Sequence, residues 1–117
     1  MDNELKIKMY SFTLDCNDPE LLARFYAALL NWEVKVISED WAYVLAPGRK
    51  QGEYPCLLFQ RNPEYIPPVW PEEPGAQQQM AHIDIAVNDL EKAVKYAVEC
   101  GARVAEKQFS DDWTVMF

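Results

Sequence analysis

The 117 residues contain one histidine, His82, and Asp84 stands two positions beyond it in the stretch Met-Ala-His-Ile-Asp-Ile-Ala-Val at 80–87. Side chains alternate along an extended chain, so Met80, His82, Asp84 and Ala86 share one face there. Ala81, Ile83, Ile85 and Val87 share the other, which is wholly apolar and suited to lie on a helix. An imidazole beside a carboxylate suits several tasks. It can hydrogen-bond a neighbour in a polar cleft or contact a bound molecule. It can also act as a general base or ligate a divalent metal. Residues two apart on a strand are about 7 Å apart at the backbone, so His82 and Asp84 meet only through side-chain reach. With a single histidine and four scattered glycines, no Ser-His-Asp triad, P-loop or GxGxxG arrangement is present.

The elements around this stretch follow from periodicity. Residues 9–15 alternate, with Tyr10, Phe12 and Leu14 on one face and Ser11, Thr13 and Asp15 on the other, which predicts a half-buried strand. Asp18 and Pro19 then form a helix start, as N-cap and first helical residue. Leu21, Leu22, Phe25, Tyr26 and Leu29 make its apolar stripe, and Asn31 is a suitable left-handed stop. Strands are predicted over 32–38, 41–45 and 56–60, with a loop over 46–54 that holds Pro47, Gly48 and Gly52. On the strand over 41–45 Trp41 and Tyr43 share a face. On that over 56–60, Leu58 and Gln60 do.

Residues 61–79 hold five of the eight prolines and read as an extended crossover. Tyr65, Ile66, Val69 and Trp70 supply the apolar groups that pin it down. Beyond the strand over 80–87, Asn88-Asp89 caps a helix running to Cys100, and Gly101 ends it. Strands follow over 103–109 and 113–117.

Composition narrows the function. The formal charge is −8, with no cluster of Lys or Arg, so the surface repels phosphate backbones and anionic membranes. No apolar run approaches the roughly 20 residues of a membrane-spanning helix, and the charged segment 1–8 is unlike a signal peptide. Cys16, Cys56 and Cys100 are odd in number and form no CxxC pair, which predicts reduced thiols in a cytoplasmic protein.

A shift of 71 residues lays Asn17, Asp18 and Glu20 on Asn88, Asp89 and Glu91, and Ser11 on His82. Phe12 and Leu14 fall on Ile83 and Ile85, and one extra residue brings Trp41 onto Trp113. Cap, helix length, turn and strand agree together, so each half reads as a β-α-β-β-β module. A fourth strand for the second module needs about ten further residues, and the sequence stops at Phe117 without them.

The stretch 14–26, followed by Leu29-Leu30-Asn31-Trp32, resembles the opening of the glyoxalase/bleomycin-resistance/extradiol-dioxygenase (vicinal oxygen chelate) superfamily. Phe59-Gln60-Arg61 with the crossover, and then residues 79–90, resemble its glyoxalase-like branch of small bacterial proteins. The resemblance covers nearly all of 9–117. It implies paired βαβββ modules whose sheets curl around a shared cleft, usually in a homodimer. In metal-dependent members the ligands come from the first and fourth strands of each module. Those positions fall here on Ser11, on Leu58 or Gln60, and on His82, with the last beyond Phe117. Of these only His82 is a strong ligand for Zn, Ni, Fe or Mn. Asp84 and Asp15 are nearby carboxylates, and the set falls short of the three protein ligands of a catalytic site.

The expectation is therefore an α+β chain forming a single domain over 1–117. Modules over 9–60 and 80–117 are joined by the crossover 61–79, a curled mixed sheet surrounds a cleft, and the second module lacks its last strand. The function expected is that of a cytoplasmic, homodimeric small-molecule-binding protein without a cofactor or a complete metal site. Its cleft is lined by Ser11, Thr13, Trp41, Tyr43, Leu58, Gln60, His82 and Asp84. Two other readings stay open. One is a metal-dependent lyase, isomerase or dioxygenase with His82 as the catalytic residue. The other is a non-catalytic interaction module whose cleft its own side chains fill. The missing strand implies either a truncated chain or a sheet edge covered by another chain.

Overall fold

The computed structural model describes residues 4–50, 53 and 55–117. Positions 51, 52 and 54 of the expected loop lie outside the described residues, as do positions 1–3 of the N-terminal segment. The chain divides into two compact units, Met1–Tyr65 and Ile66–Phe117.

In the first unit the helix start is the one its residues favour. Asp18 has an extended backbone, and its Oδ1 accepts the Leu21 N–H at 3.1 Å, satisfying a donor that the first helical turn leaves open. With Pro19 following, helix α1 runs Pro19–Leu30. Asn31 ends it in the left-handed conformation (φ 56°), its N–H returning to the Ala27 carbonyl.

Four strands pair beside α1: β1 (Phe12–Cys16), β2 (Glu33–Ser38), β3 (Trp41–Leu45) and β4 (Cys56–Arg61). Their order in the sheet is β1-β4-β3-β2. β4 runs parallel to β1 and antiparallel to β3, and β3 runs antiparallel to β2. The sheet is therefore mixed, and the long return from β1 to β4 contains α1, as parallel pairing requires.

Alternation assigns the two faces. Leu14, Phe59, Ala42, Val44 and Val34 lie on the α1 side and join Cys16, Ala23, Leu22, Tyr26 and Ala27 in one apolar core. Phe59 is fully buried and stacks on Tyr26, with ring centroids 5.6 Å apart and planes 10° from parallel. Burying a side chain of this size stabilises the fold by about 1.5–3 kcal/mol. The other face carries a second buried cluster, Tyr43, Leu45, Cys56 and Leu58.

In the second unit helix α2 (Leu90–Cys100) repeats the start of α1. Asp89 is extended, its Oδ1 accepts the Lys92 N–H at 3.0 Å, and Gly101 ends the helix at φ 121°. The two helices thus share one N-cap arrangement.

The strands of the second half depart from expectation. Residues 80–87 form no ladder. Of the face read as apolar, Ile83 is half-buried while Ala81, Ile85 and Val87 are exposed. Alternation fixes which side chains share a face; it does not supply the pairing partner that makes a strand. The strands expected over 103–109 and 113–117 shrink to one antiparallel bridge, Val104 with Met116. Arg103 and Phe117 exchange backbone bonds of 2.9 and 2.7 Å, and the Ala105 N–H reaches the Val115 carbonyl at 3.0 Å. Beyond that point the Gln108 side chain replaces the ladder. Its Nε2 donates to the carbonyls of Ala105 (2.7 Å) and Val115 (2.9 Å), and its Oε1 accepts the Val115 N–H at 2.9 Å.

The crossover residues are tied within their own units. The Asn62 N–H reaches the Cys16 carbonyl at 2.8 Å in the first. In the second, the Trp70 indole N–H donates to the Lys107 carbonyl at 3.2 Å, and its ring meets Phe109 edge-on at 5.5 Å.

Candidate functional site

Backbone register brings five of the six expected first-unit residues onto the sheet face opposite α1, in two rows. In one, Thr13 stands opposite Leu58, which stands opposite Tyr43. In the next, Asp15 stands opposite Gln60, which stands opposite Trp41. Ser11 lies just before β1 and is half-buried. The residue of β1 facing Leu58 is therefore Thr13, one alternation step beyond Ser11.

The first row is closed to water at its centre, since Tyr43 and Leu58 are each 8% exposed. The second row is open and polar. Gln60 Nε2 lies 3.5 Å from Asp15 Oδ1, and Asn62 Nδ2 lies 3.1 Å from Asp15 Oδ2. Two carboxamides thus hold the two oxygens of one carboxylate. Asn62 is itself fixed, because its Oδ1 accepts the Glu64 N–H at 3.0 Å. At the other end of the row the Trp41 side chain is 39% exposed. Strands lie about 4.8 Å apart, so Asp15 and Trp41 flank Gln60 with about 10 Å between their backbones. The adjoining turn is anchored by Arg61, which donates its N–H to the Asp40 carbonyl at 2.9 Å and pairs its guanidinium with the Asp40 carboxylate at 3.5 Å. This row presents hydrogen-bond acceptors at one end and an aromatic ring at the other.

Asn62 was not among the expected site residues. Its signal was present, since it continues the alternation of Leu58 and Gln60, but the adjacent prolines assign it to the crossover.

In the second unit His82 and Asp84 do meet. His82 Nε2 lies 3.2 Å from Asp84 Oδ1, so side-chain reach closes the backbone gap. Gln79 Nε2 lies 2.9 Å from His82 Nδ1. An amide nitrogen can only donate, so Nδ1 accepts, and the neutral ring carries its proton on Nε2, directed at Asp84. Both ring nitrogens are thereby engaged. The pair is open to solvent, with the His82 and Asp84 side chains 63% and 90% exposed, so its electrostatic attraction is strongly screened. Gln79 is a further residue that the sequence left unmarked, for it belongs to a run of three glutamines off the His82 face.

Among the described residues no three of His, Cys, Asp and Glu come together in a position to hold a metal ion. Both nitrogens of the His82 ring have a partner here, Gln79 on one side and Asp84 on the other. Cys16, Cys56 and Cys100 are not joined in disulfides. Burial pushes the Cys16 thiol above its ordinary range, the Asp18 backbone N–H partly opposes this, and the Asp18 and Asp15 carboxylates add to it. Its proton is directed at the Gln60 carbonyl, 3.6 Å away. Such a thiol is a poor nucleophile.

The sequence over residues 11–117 matches the profile of a family described as "Glyoxalase-like domain". No functionally curated protein matches it. Among solved structures, hypothetical protein SA1046 from S. aureus is similar in fold, with a TM-score of 0.55 and 16% sequence identity over 95% of this chain and 84% of that one.

Proposed function

Because the chain belongs to the glyoxalase-like domain family, we propose that it binds a small organic molecule without a complete metal site. The observation that carries this reading is the Asp15–Gln60–Trp41 row on the face opposite α1. Binding sites for small molecules combine apolar and aromatic surface with a few fixed polar groups. Here Trp41 offers the ring. Asp15, steadied by Gln60 and Asn62, offers oriented acceptors. Thr13, Tyr43 and Leu58 line the neighbouring row, with Ser11 just before β1; His82 and Asp84 are the proposed ligand contacts of the second unit. The protein acts as a cytoplasmic homodimer in this reading. The dimer is favoured by the position of β1 at one end of the sheet order, since an edge strand without a second ladder partner among the described residues offers backbone groups to another chain.

A second reading, a metal-dependent lyase, isomerase or dioxygenase, is favoured by one observation, the Gln79–His82–Asp84 chain of hydrogen bonds. A carboxylate beside an imidazole orients it for proton transfer.

Two measurements test the proposal. A thermal-shift screen of drug-like and metabolite-like compounds is expected to give stabilising hits that weaken at least tenfold in Trp41→Ala and Asp15→Asn. Elemental analysis of natively purified protein is run beside it. Stoichiometric metal in the wild type that is lost in His82→Ala overturns the metal-free reading in favour of the enzyme.

A further inference from the structure

On the other side of the sheet, β2 and the first turn of α1 enclose a groove of about 450 Å³ lined by Asp18, Glu20, Leu21, Arg24, Val36, Ser38 and Glu39. Three observations bear on its use. First, β2 is the last strand in the order β1-β4-β3-β2, so its outer backbone groups have no ladder partner among the described residues. Second, the groove has an apolar floor. Val36 lies on the α1 side, two residues beyond the core residue Val34, and is 38% exposed, while Leu21 on the helix is 69% exposed. Third, the rim is acidic. Asp18, Glu20 and Glu39 stand against one cation, Arg24, which already pairs with Glu20 at 3.4 Å. Lys35 stands opposite Tyr43 in the register and so lies on the other face, away from the groove.

The geometry points to a docking groove for an extended, basic-apolar peptide segment of another protein. The segment adds as a strand along β2, inserts an aliphatic side chain between Leu21 and Val36, and sets a Lys or Arg against Glu20 and Glu39. Strand addition draws its affinity from main-chain bonds and its selectivity from alternate side chains. Charge complementarity selects a basic segment, and the net charge of −8 steers it in at low salt. This groove is separate from the Asp15–Gln60–Trp41 row, so the proposal stands or falls independently of the small-molecule reading.

The test is a titration of isotope-labelled protein, followed by amide NMR, with a synthetic alternating Lys/Val pentapeptide and its Glu/Val counterpart. Saturable shifts are expected at Leu21, Val36, Ile37 and Ser38 with the basic peptide and none with the acidic one. Glu39→Lys and Leu21→Ser change exposed side chains, so circular dichroism is expected to match wild type, and each is expected to weaken binding at least fivefold. Unsaturated or dispersed shifts overturn the proposal, as does equal affinity in Glu39→Lys. Self-association through β2 without peptide also overturns it, because the occupant is then a second copy.

Discussion

Gln79 Nε2 sits 2.9 Å from His82 Nδ1, and this contact decides which nitrogen of the imidazole carries the proton. The ring's other nitrogen is directed at Asp84. Nitrogen-detected NMR is expected to show the neutral ring almost wholly as the Nε2–H tautomer in wild type. Gln79→Ala removes the donor to Nδ1 and is expected to raise the minor tautomer severalfold. An unchanged tautomer ratio in that variant would refute the assignment.

The two helix caps allow a matched pair of measurements. Asp18→Ala and Asp89→Ala each remove a carboxylate that accepts a first-turn N–H. Each is expected to cost about 1 kcal/mol in urea unfolding, and the corresponding Asn variants much less.

Phe59 is fully buried and stacked on Tyr26. Phe59→Ala leaves a cavity between α1 and the sheet and is expected to cost about 3–5 kcal/mol. Tyr26→Phe keeps the ring and is expected to cost much less. The comparison separates packing from the phenol.

That phenol also predicts a pH dependence. Burial raises the Tyr26 pKa above 10.0, and Tyr65 adds to the shift; burial likewise raises Tyr65, with Cys16 adding, and raises Cys16 above 9.0. In each case the folded chain holds its proton where the unfolded chain releases it. The stabilising contribution is therefore complete below the unfolded value and is lost as pH rises through the folded one. Stability is expected to fall from about pH 9 upward, first through Cys16 and then, above pH 10, through the tyrosines. Cys16→Ala is expected to delay the onset, as read by denaturant midpoints against pH.

Gln108 makes three bonds to the backbone of Ala105 and Val115. Gln108→Ala is expected to expose the Val115 amide and accelerate its hydrogen exchange at least tenfold. Exchange at Phe117, which is held by Arg103, is expected to change less.

What sequence reading recovered and what it missed divide along the distance over which the signal acts. Asp18, Pro19, Asn31, Asp89 and Gly101 were legible because a cap depends on residues within one helical turn. The faces of β1, β3 and β4 were legible too, since alternation needs no knowledge of a partner. Register was not. Nothing near Ser11 says that Leu58 will stand opposite Thr13, a relation between residues 45 positions apart. The same limit explains 80–87, where the pattern sorts His82 and Asp84 from Ile83 and Ile85 without specifying a strand to pair with. Asn62 was hidden by its Pro-rich surroundings. Gln79 was hidden because a side chain reaching a histidine three residues away follows neither strand nor helix spacing.

β4 is the last strand of its unit to be made, yet it lies between β1 and β3 and bonds to both. As the chain leaves the ribosome, β2 and β3 are neighbours in sequence and can join at once, whereas β1 must wait without a strand partner. It gains a partner only when β4 has emerged, so the sheet is completed by its last-made strand. During that interval the nascent chain depends on α1 to shield Leu14 and Cys16. A synonymous slow codon placed before β4 would lengthen the wait, while one placed after it would give the finished sheet time to settle.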